Sequence, residues 1–214
     1  MTGAFRMARL DFYTLKHHLV SYLSLFLIVL LFGFMGSSIT LLCINAAWFV
    51  ALMSSNIFAI QEKNNLDRLY SSVSVGLRDI VLGRYVSVFL NYFLAVVAII
   101  ALYISFSVFQ DRTVDLHDLL MGLSLSFLVY SAITGVQMPL YFKLGYTKAR
   151  IWGMIPFMAV MALVALPSFV PVLAKIVEFM AGNPTVLILG AFLVGVLIQF
   201  ISYQFSVIAY RKRR

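Results

Sequence analysis

The stretch LVSYLSLFLIVLLFGFMGSSITLLCINAAWFVALMSSNIFAIQ, residues 19–61, has no Asp, Glu, Lys, Arg or His at any of its 43 positions. One membrane-spanning helix needs about 20 apolar residues, so this length predicts two spans joined by a turn. The turn is expected at residues 33–38 (GFMGSS), the small and polar cluster within the stretch. Asn45 and Asn56 fall in the second span, where amides usually bond to a neighbouring helix, although a substrate contact stays open.

The composition of the whole chain agrees with a membrane protein. Of its 214 residues, 63% are hydrophobic and 11% are charged, and mean hydropathy is +0.99. A soluble domain has about 25% charged residues. We therefore expect an all-α polytopic membrane protein with a single transmembrane domain. The net charge of +8 does not indicate nucleic-acid binding, because the basic residues lie at the ends of apolar segments.

Six spans are predicted along the chain. Residues 1–18 form a basic amphipathic pattern that is typical of a helix lying in the membrane interface. Asn183 and Pro184 supply an N-cap and a first helical residue for the last span. The expected order is an interfacial helix at 1–18, spans one and two at 19–61, a polar stretch at 62–85, spans three and four at 86–142, a loop at 143–150, spans five and six at 151–210, and a tail at 211–214.

The segment 167–183 between the fifth and sixth spans is irregular. Pro167 and Pro171 bracket three residues, and Lys175 and Glu178 follow in an otherwise apolar run. This composition is too polar for a helix at mid-membrane and too apolar for a free loop. It predicts a broken helix that returns part-way into the bilayer, where protein or water covers its open backbone groups.

The positions of the basic residues predict the topology. With six spans and both termini on one side, residues 1–18, 62–85, 143–150 and 211–214 share that side. These segments hold three, four, three and four basic residues respectively, which is 14 of the 16 Lys and Arg in the chain. The positive-inside rule therefore predicts that both termini and these loops are cytoplasmic.

The polar stretch EKNNLDRLYSSVSVGLRDIVLGRY, residues 62–85, is the longest polar interval in the chain. Its apolar and polar residues recur at helical spacing on two different faces. Such a helix can lie on the membrane surface or dock onto a soluble partner. The apolar face holds Leu66, Leu69, Tyr70 and Val73, and the polar face holds Lys63, Asn64, Asp67 and Arg68.

The sequence carries no recognisable catalytic motif. It lacks a glycine-rich phosphate loop, HExxH, GxSxG and paired carboxylates within the spans. The adjacent His17 and His18 do not share a helix face, and His117 with its neighbouring aspartates more often marks a solvated turn, so no metal site is expected. Proton- and ion-coupled carriers usually need ionisable groups at mid-membrane. We therefore expect no enzyme; if the chain moves a substrate, its cytoplasmic loops must receive the energy.

Residues 62–85 also carry a recognisable motif. Glu62, Asn65 and Asp67-Arg68-Leu69 are followed by SVSVGLRDIVLGRY at residues 72–85. Together with six spans and an amphipathic N-terminal helix, this pattern resembles the permease subunit of a type-2 ABC exporter, a family of small bacterial plasma-membrane permeases. The sequence departs from the family at Ser74, where proline is usual, and at Leu77, where a basic residue is common. The effect of these two departures on docking stays open.

The resemblance implies a partner and a mechanism. Residues 62–85 would be a coupling helix in a cleft of a separate cytoplasmic ATP-binding subunit, which would hold the ATP and magnesium; no cofactor is expected in this chain. A second copy of the chain or a paralogous permease would complete the transporter within the membrane lipids. The residues implied to contact the ATPase are Glu62, Asn65, Leu66, Asp67, Arg68, Leu69, Tyr70, Val73, Leu77, Arg78 and Lys148.

The resemblance also implies a substrate class. Among relatives, exporters of amphipathic or antimicrobial peptides such as phenol-soluble modulins look nearest. The broken segment would then be an outer gate, with Pro167, Pro171, Lys175 and Glu178 as its residues. The competing hypothesis is an ATP-independent membrane protein, either a scaffold, an immunity protein or a small channel.

Overall fold

The computed structural model describes residues 27, 31–33, 35–66, 76–110, 114–165 and 182–213. Every regular element with defined bounds in these ranges is a helix, which confirms the all-α prediction for the described part of the chain. The predicted interfacial helix, most of the first span, residues 67–75 of the polar stretch and the four predicted gate residues lie outside the described residues.

Six helices have defined bounds within these ranges. Four of them, α1, α2, α3 and α6, are long and apolar enough to cross a membrane, by length and composition. The other two, α4 and α5, have 7 and 11 residues. The helices are α1 (Ile39–Lys63), α2 (Leu77–Phe109), α3 (Leu116–Leu144), α4 (Tyr146–Trp152), α5 (Ile155–Ala165) and α6 (Pro184–Arg213).

The count of six spans stays a prediction. The first predicted span lies mostly outside the described residues, and α5 ends at Ala165, where the described range ends. Local sequence accounts for the observed helix starts. The Ser38 hydroxyl accepts a hydrogen bond from the Leu41 N–H at the start of α1, and the Asp115 carboxylate accepts one from the His117 N–H at the start of α3. α6 begins at Pro184, as expected.

Helix α3 lies at the centre of the described bundle, in contact with α1, α4, α5 and α6. Small residues allow the backbones to approach closely. A Cβ atom added to Gly122 would lie 3.0 Å from the Thr40 Cα of α1, and one added to Gly195 of α6 would lie 2.8 Å from the Phe127 ring. These close crossings explain why glycine occupies positions 122 and 195.

The ends of the helices form two groups. At one end, which we call the basic end, lie residues 61–66, 76–84, 143–150 and 211–213, joined by the contacts described below. At the opposite end, the Thr40 hydroxyl of α1 donates to the Asp118 carbonyl of α3 at 3.5 Å. The charge count predicted that the polar stretch, the 143–150 loop and the tail share one side of the membrane. Their described parts do lie at one end, and the cytoplasmic orientation of that end stays a prediction.

Candidate functional site

A buried polar contact joins the two helices that flank the polar stretch. α1 ends at Lys63 and α2 begins at Leu77. The Arg84 side chain of α2 is 1% exposed, and its Nη2 donates to Gln61 Oε1 of α1 at 3.0 Å. Its guanidinium carbon also lies 5.8 Å from the centre of the Phe58 ring, within the range of a cation–π contact. The helices on either side of the stretch are therefore fixed to each other.

A carboxylate at the start of the polar stretch caps a different helix. Glu62 Oε2 accepts hydrogen bonds from the Tyr146 N–H at 2.6 Å and the Thr147 N–H at 3.1 Å, at the start of α4. The Thr147 hydroxyl donates to Glu62 Oε1. The first N–H groups of any helix lack partners within that helix. Glu62 supplies that partner from 84 positions earlier in the chain, and we call this contact the Glu62 cap.

Because its N-cap residue is Gly145, α4 needs a capping side chain from another part of the chain. Gly145 ends α3, where its N–H donates to the Tyr141 carbonyl at 2.9 Å, and it is also the N-cap position of α4. It has φ +76°, a conformation that favours glycine, and it has no side chain that could cap α4. A Cβ atom at Gly145 would lie 3.1 Å from both Glu62 Oε2 and Arg213 Nη2. The absent side chain thus leaves room for the cap.

The basic tail closes the same contact. Arg213, in the last turn of α6, donates from Nη1 to the Tyr141 carbonyl at 3.5 Å, and its charge attracts the Glu62 carboxylate. The space between these residues and the aromatic rings of Phe58 and Phe142 has a volume of only about 10 Å³. That volume is at the lower limit for one water molecule. The basic end is therefore closely packed around the cap and has no room there for a ligand.

The other end of α4 is held by a glutamine. Gln137 Nε2 of α3 donates to the Gly153 carbonyl, the residue after α4, at 3.0 Å. The Gln137 carbonyl oxygen lies 3.4 Å from the Ser54 hydroxyl of α1. Gln137 is 2% exposed, so these bonds are shielded from water. Polar contacts thus hold both ends of α4, and α5 begins two residues beyond Gly153.

Six of the implied ATPase contacts lie in the described residues, and they divide into two groups. Glu62 is engaged within the chain, and Leu66 and Leu77 are partly buried against the core. Asn65, Arg78 and Lys148 are exposed at the basic end. Asn65 has φ 49°, a left-handed conformation that asparagine tolerates better than most residues. The other implied contacts, Asp67, Arg68, Leu69, Tyr70 and Val73, lie outside the described residues, as do Pro167, Pro171, Lys175 and Glu178.

The residues that close the basic end were not predicted from the sequence. Gln61 was counted only as the last residue of an uncharged run, and Thr147 and Arg213 only as members of a loop and a tail. One signal was present in the sequence, because Gly145 follows a predicted span and precedes a short basic segment with no capping side chain. That signal indicates a missing cap, but it does not identify Glu62 as the residue that replaces it.

A second region with functional potential is an apolar pocket in the middle of the bundle. It has a volume of about 560 Å³, within the range of pockets that hold small ligands. α3 forms its floor, and Phe89 of α2 and Phe192 of α6, each about half exposed, stand at its rim. The lining residues are Tyr85, Val86, Phe89, Tyr92, Leu123, Ser124, Phe127, Phe192, Val196 and Gln199.

Three polar side chains of the apolar pocket, those of Tyr85, Tyr92 and Gln199, are bonded to neighbouring helices. The Tyr85 hydroxyl hydrogen-bonds with the hydroxyls of Ser202 and Ser206, at 2.5 and 2.8 Å. The Gln199 amide donates to the Thr134 hydroxyl at 2.8 Å. The hydroxyl of Tyr92 likewise pairs with that of Ser126. Because these groups already have partners, the pocket offers a ligand mainly aromatic and aliphatic surface.

Ionisable groups lie near the ends of the long helices. In the described parts of α1, α2, α3 and α6, no Asp, Glu, Lys or Arg occurs in the central turns, and Arg84 in the third turn of α2 is the deepest. Among the described residues, no group of three His, Cys, Asp or Glu could hold a metal ion. The geometry therefore combines a charged, closely packed end with an uncharged membrane section.

Comparison with known proteins identifies the family. A family model described as ABC-2 family transporter protein matches residues 7–211, almost the whole chain. No curated protein and no solved structure matches the chain. The matched range includes the apolar pocket and all of the basic end except residues 212–213. The chain therefore belongs to the ABC-2 family of transporter proteins and is a type-2 ABC permease subunit, as the motif in residues 62–85 predicted.

Proposed function

We propose that this permease exports an amphipathic or hydrophobic substrate, and that a separate cytoplasmic ATP-binding subunit docks on residues 62–85 and drives the export. The chain would pair with a second copy or a paralogue, and the basic end would face the cytoplasm. ATP and magnesium would be bound by the partner. The proposal extends the family assignment to the site, the energy source and the substrate class.

The main support for the proposed docking site is the buried contact between Gln61 and Arg84. This contact fixes the end of α1 to α2 beneath the polar stretch. A surface that receives force from a partner must be attached firmly to the helices that it moves. The exposed side chains of Asn65, Arg78 and Lys148 lie at this same end, where they are accessible to a soluble protein.

The distribution of charge supports an external energy source. The central turns of the four long helices carry no Asp, Glu, Lys or Arg in their described parts. Carriers driven by protons or ions usually hold such groups at mid-membrane. This distribution supports mechanical work supplied at the loops, which is the role proposed for the ATP-binding subunit.

The apolar pocket supports the proposed substrate class. Phe192 and Gln199 lie about 12 and 22 Å from the start of α6, on a helix about 45 Å long, so the pocket is at mid-membrane depth. Its walls are mainly aromatic and aliphatic, and its lining residues Phe89 of α2 and Phe192 of α6 are each about half exposed. An amphipathic peptide that enters from the lipid would find there a surface for its apolar face.

The test of the docking site is co-purification of this chain with a candidate ATP-binding subunit. We expect wild-type protein to form a complex whose ATPase activity rises when an amphipathic helical peptide is added. The double variant Leu69→Glu plus Tyr70→Glu places two charges on the predicted apolar face of the polar stretch. Because a buried charge without a partner costs several kcal/mol, we expect this variant to lose the complex.

A matched control places the same charges at the opposite end of the bundle. Val114 and Leu116 are exposed beside the start of α3, and Val114→Glu plus Leu116→Glu should retain the complex. Retention of both the complex and the stimulated ATPase activity by the Leu69/Tyr70 variant would refute docking on residues 62–85. Failure of the wild-type chain to bind any ATP-binding subunit would instead favour an ATP-independent membrane protein.

A further inference from the structure

We propose that Glu62 is a positioning residue that makes residues 62–66, α4 and the end of α6 move as one body, so that motion of the polar stretch reaches α5. The inference rests on the proposed function, in which the polar stretch receives the ATP-binding subunit. It assigns Glu62 a role inside the permease, whereas the family resemblance alone implied a contact with the partner.

Several bonds meet at the Glu62 carboxylate. Glu62 accepts two backbone hydrogen bonds from the start of α4 and one from the Thr147 hydroxyl. Hydrogen bonds to a charged acceptor are stronger than bonds between neutral groups. Arg213 adds an attractive charge from the last turn of α6. Glu62 therefore links its own segment to α4 by hydrogen bonds and to the last turn of α6 by the attraction of opposite charges.

Nothing in the first turn of α4 can replace Glu62. The N-cap residue is Gly145, which has no side chain and makes no side-chain cap hydrogen bond. Without the carboxylate, the N–H groups of Tyr146 and Thr147 would depend on water. α4 has only 7 residues, and such short helices are marginal without tertiary contacts. The position of α4 therefore depends on Glu62.

α4 is in turn connected to the membrane. The Gln137 amide holds the Gly153 carbonyl at the far end of α4, and α5 begins at Ile155. α5 is lightly packed, since Met158 and Met161 are 71% and 57% exposed. Among the side chains of α5 whose burial is described, those of Pro156, Phe157 and Val160 are buried. A helix with few buried contacts can shift at low cost, so a displacement of α4 should move α5.

The first arm of the test uses the permease alone in lipid nanodiscs. A spin label at Arg150→Cys, on an exposed position of α4, reports the mobility of that helix; the native Cys43 is fully buried. We expect the label to become more mobile in Glu62→Gln and in the milder variant Thr147→Val. Asp115→Asn is the matched control, because that carboxylate caps its own helix at the opposite end. Unchanged mobility in both variants would overturn the proposal.

The second arm uses the complex with the ATP-binding subunit. A spin label at Met158→Cys reports α5, and we expect ATP to change its spectrum in the wild-type complex. In Glu62→Gln the complex should still form, the ATP-induced change should be lost, and transport per ATP should fall about fivefold or more, within the usual range of a coupling effect. Glu62→Asp, which keeps the charge, should restore part of the signal.

The two arms separate failure of this inference from failure of the proposed function. Loss of partner binding in Glu62→Gln would make Glu62 a docking residue and would overturn its positioning role. An ATP-induced change at α5 that survives Glu62→Gln would overturn it as well. A wild-type chain that binds no ATP-binding subunit would refute the proposed function, while the mobility of the Arg150→Cys label would still decide whether Glu62 positions α4.

Discussion

The basic end and the apolar pocket are built by opposite means. At the basic end, directional hydrogen bonds join residues far apart in sequence, such as Glu62 with Tyr146 and Gln61 with Arg84. In the pocket, aromatic rings form the surface and the polar groups point to neighbouring helices, as Tyr85 does toward Ser202. Under the proposed function, the hydrogen-bonded basic end would transmit position, whereas the pocket would present a tolerant surface to an apolar molecule.

The substitution Arg84→Ala at the basic end is expected to have the largest effect on stability. The substitution removes a buried guanidinium, its bond to Gln61 and its contact with Phe58. We expect it to lower the free energy of unfolding by about 3–5 kcal/mol, as for a large side chain removed from a core together with a buried hydrogen bond. Reversible unfolding in mixed detergent micelles measures the loss.

The matched control for Arg84 is Arg78→Ala on the same helix. Arg78 is exposed, so its removal should change the free energy of unfolding by less than about 0.5 kcal/mol. Equal losses from the two substitutions would show that the buried Gln61–Arg84 contact does not fix α1 to α2.

A smaller effect on stability is expected from Gly145→Ala. The alanine would have to adopt the positive φ of Gly145, which L-residues disfavour. Its methyl group would lie 3.1 Å from Glu62 Oε2 and Arg213 Nη2. The backbone strain alone costs about 1–2 kcal/mol, so we expect a loss of about 2 kcal/mol in the same unfolding measurement. Gly190→Ala is the control, since a methyl group there meets no atom within 4 Å; a loss as large in the control would contradict the proposed crowding.

The smallest expected effect on stability, and a specific one on transport, comes from Val196→Trp. The indole would occupy part of the apolar pocket from its lining position on α6. We expect the free energy of unfolding to stay near that of wild type, while the apparent affinity for a dansyl-labelled amphipathic peptide falls about tenfold, or 1.4 kcal/mol. The measurement is peptide uptake into inside-out vesicles, in which export carries the peptide into the vesicle lumen.

The control for Val196→Trp is Leu193→Trp on the same helix. Leu193 is 60% exposed and does not line the pocket, so the added indole should leave uptake unchanged. Equal uptake by the two variants would exclude the pocket from the substrate path and would leave the membrane lipids as its natural occupants.

The sequence predicted the parts of this molecule that depend on local pattern. The uncharged residues 19–61 and the basic clusters indicated helices in a membrane, and Asn183-Pro184 indicated the start of α6. The motif in residues 62–85 indicated the family. These features follow from hydropathy, helix-start chemistry and charge, all of which are read within a few neighbouring residues.

The contacts of the basic end could not be predicted in the same way. Glu62 caps α4 because two helices bring residues 62 and 146 together, and no local rule relates positions that are 84 apart. Arg84 looked like one more charge of a polar stretch, yet tertiary packing buries it beside Gln61. The apolar pocket also depends on how α2, α3 and α6 diverge, and uniformly apolar helices carry no periodic signal of that geometry.

The central claim, that the basic end receives the ATP-binding subunit, is tested most directly by site-specific photocrosslinking in the membrane. A photoreactive amino acid is placed at the exposed positions Arg78 and Lys148 of the basic end, and at Leu116 of the opposite end. The account predicts adducts with the ATP-binding subunit from positions 78 and 148 and none from position 116. Adducts from position 116, or none from positions 78 and 148 in a complex that still transports, would contradict it.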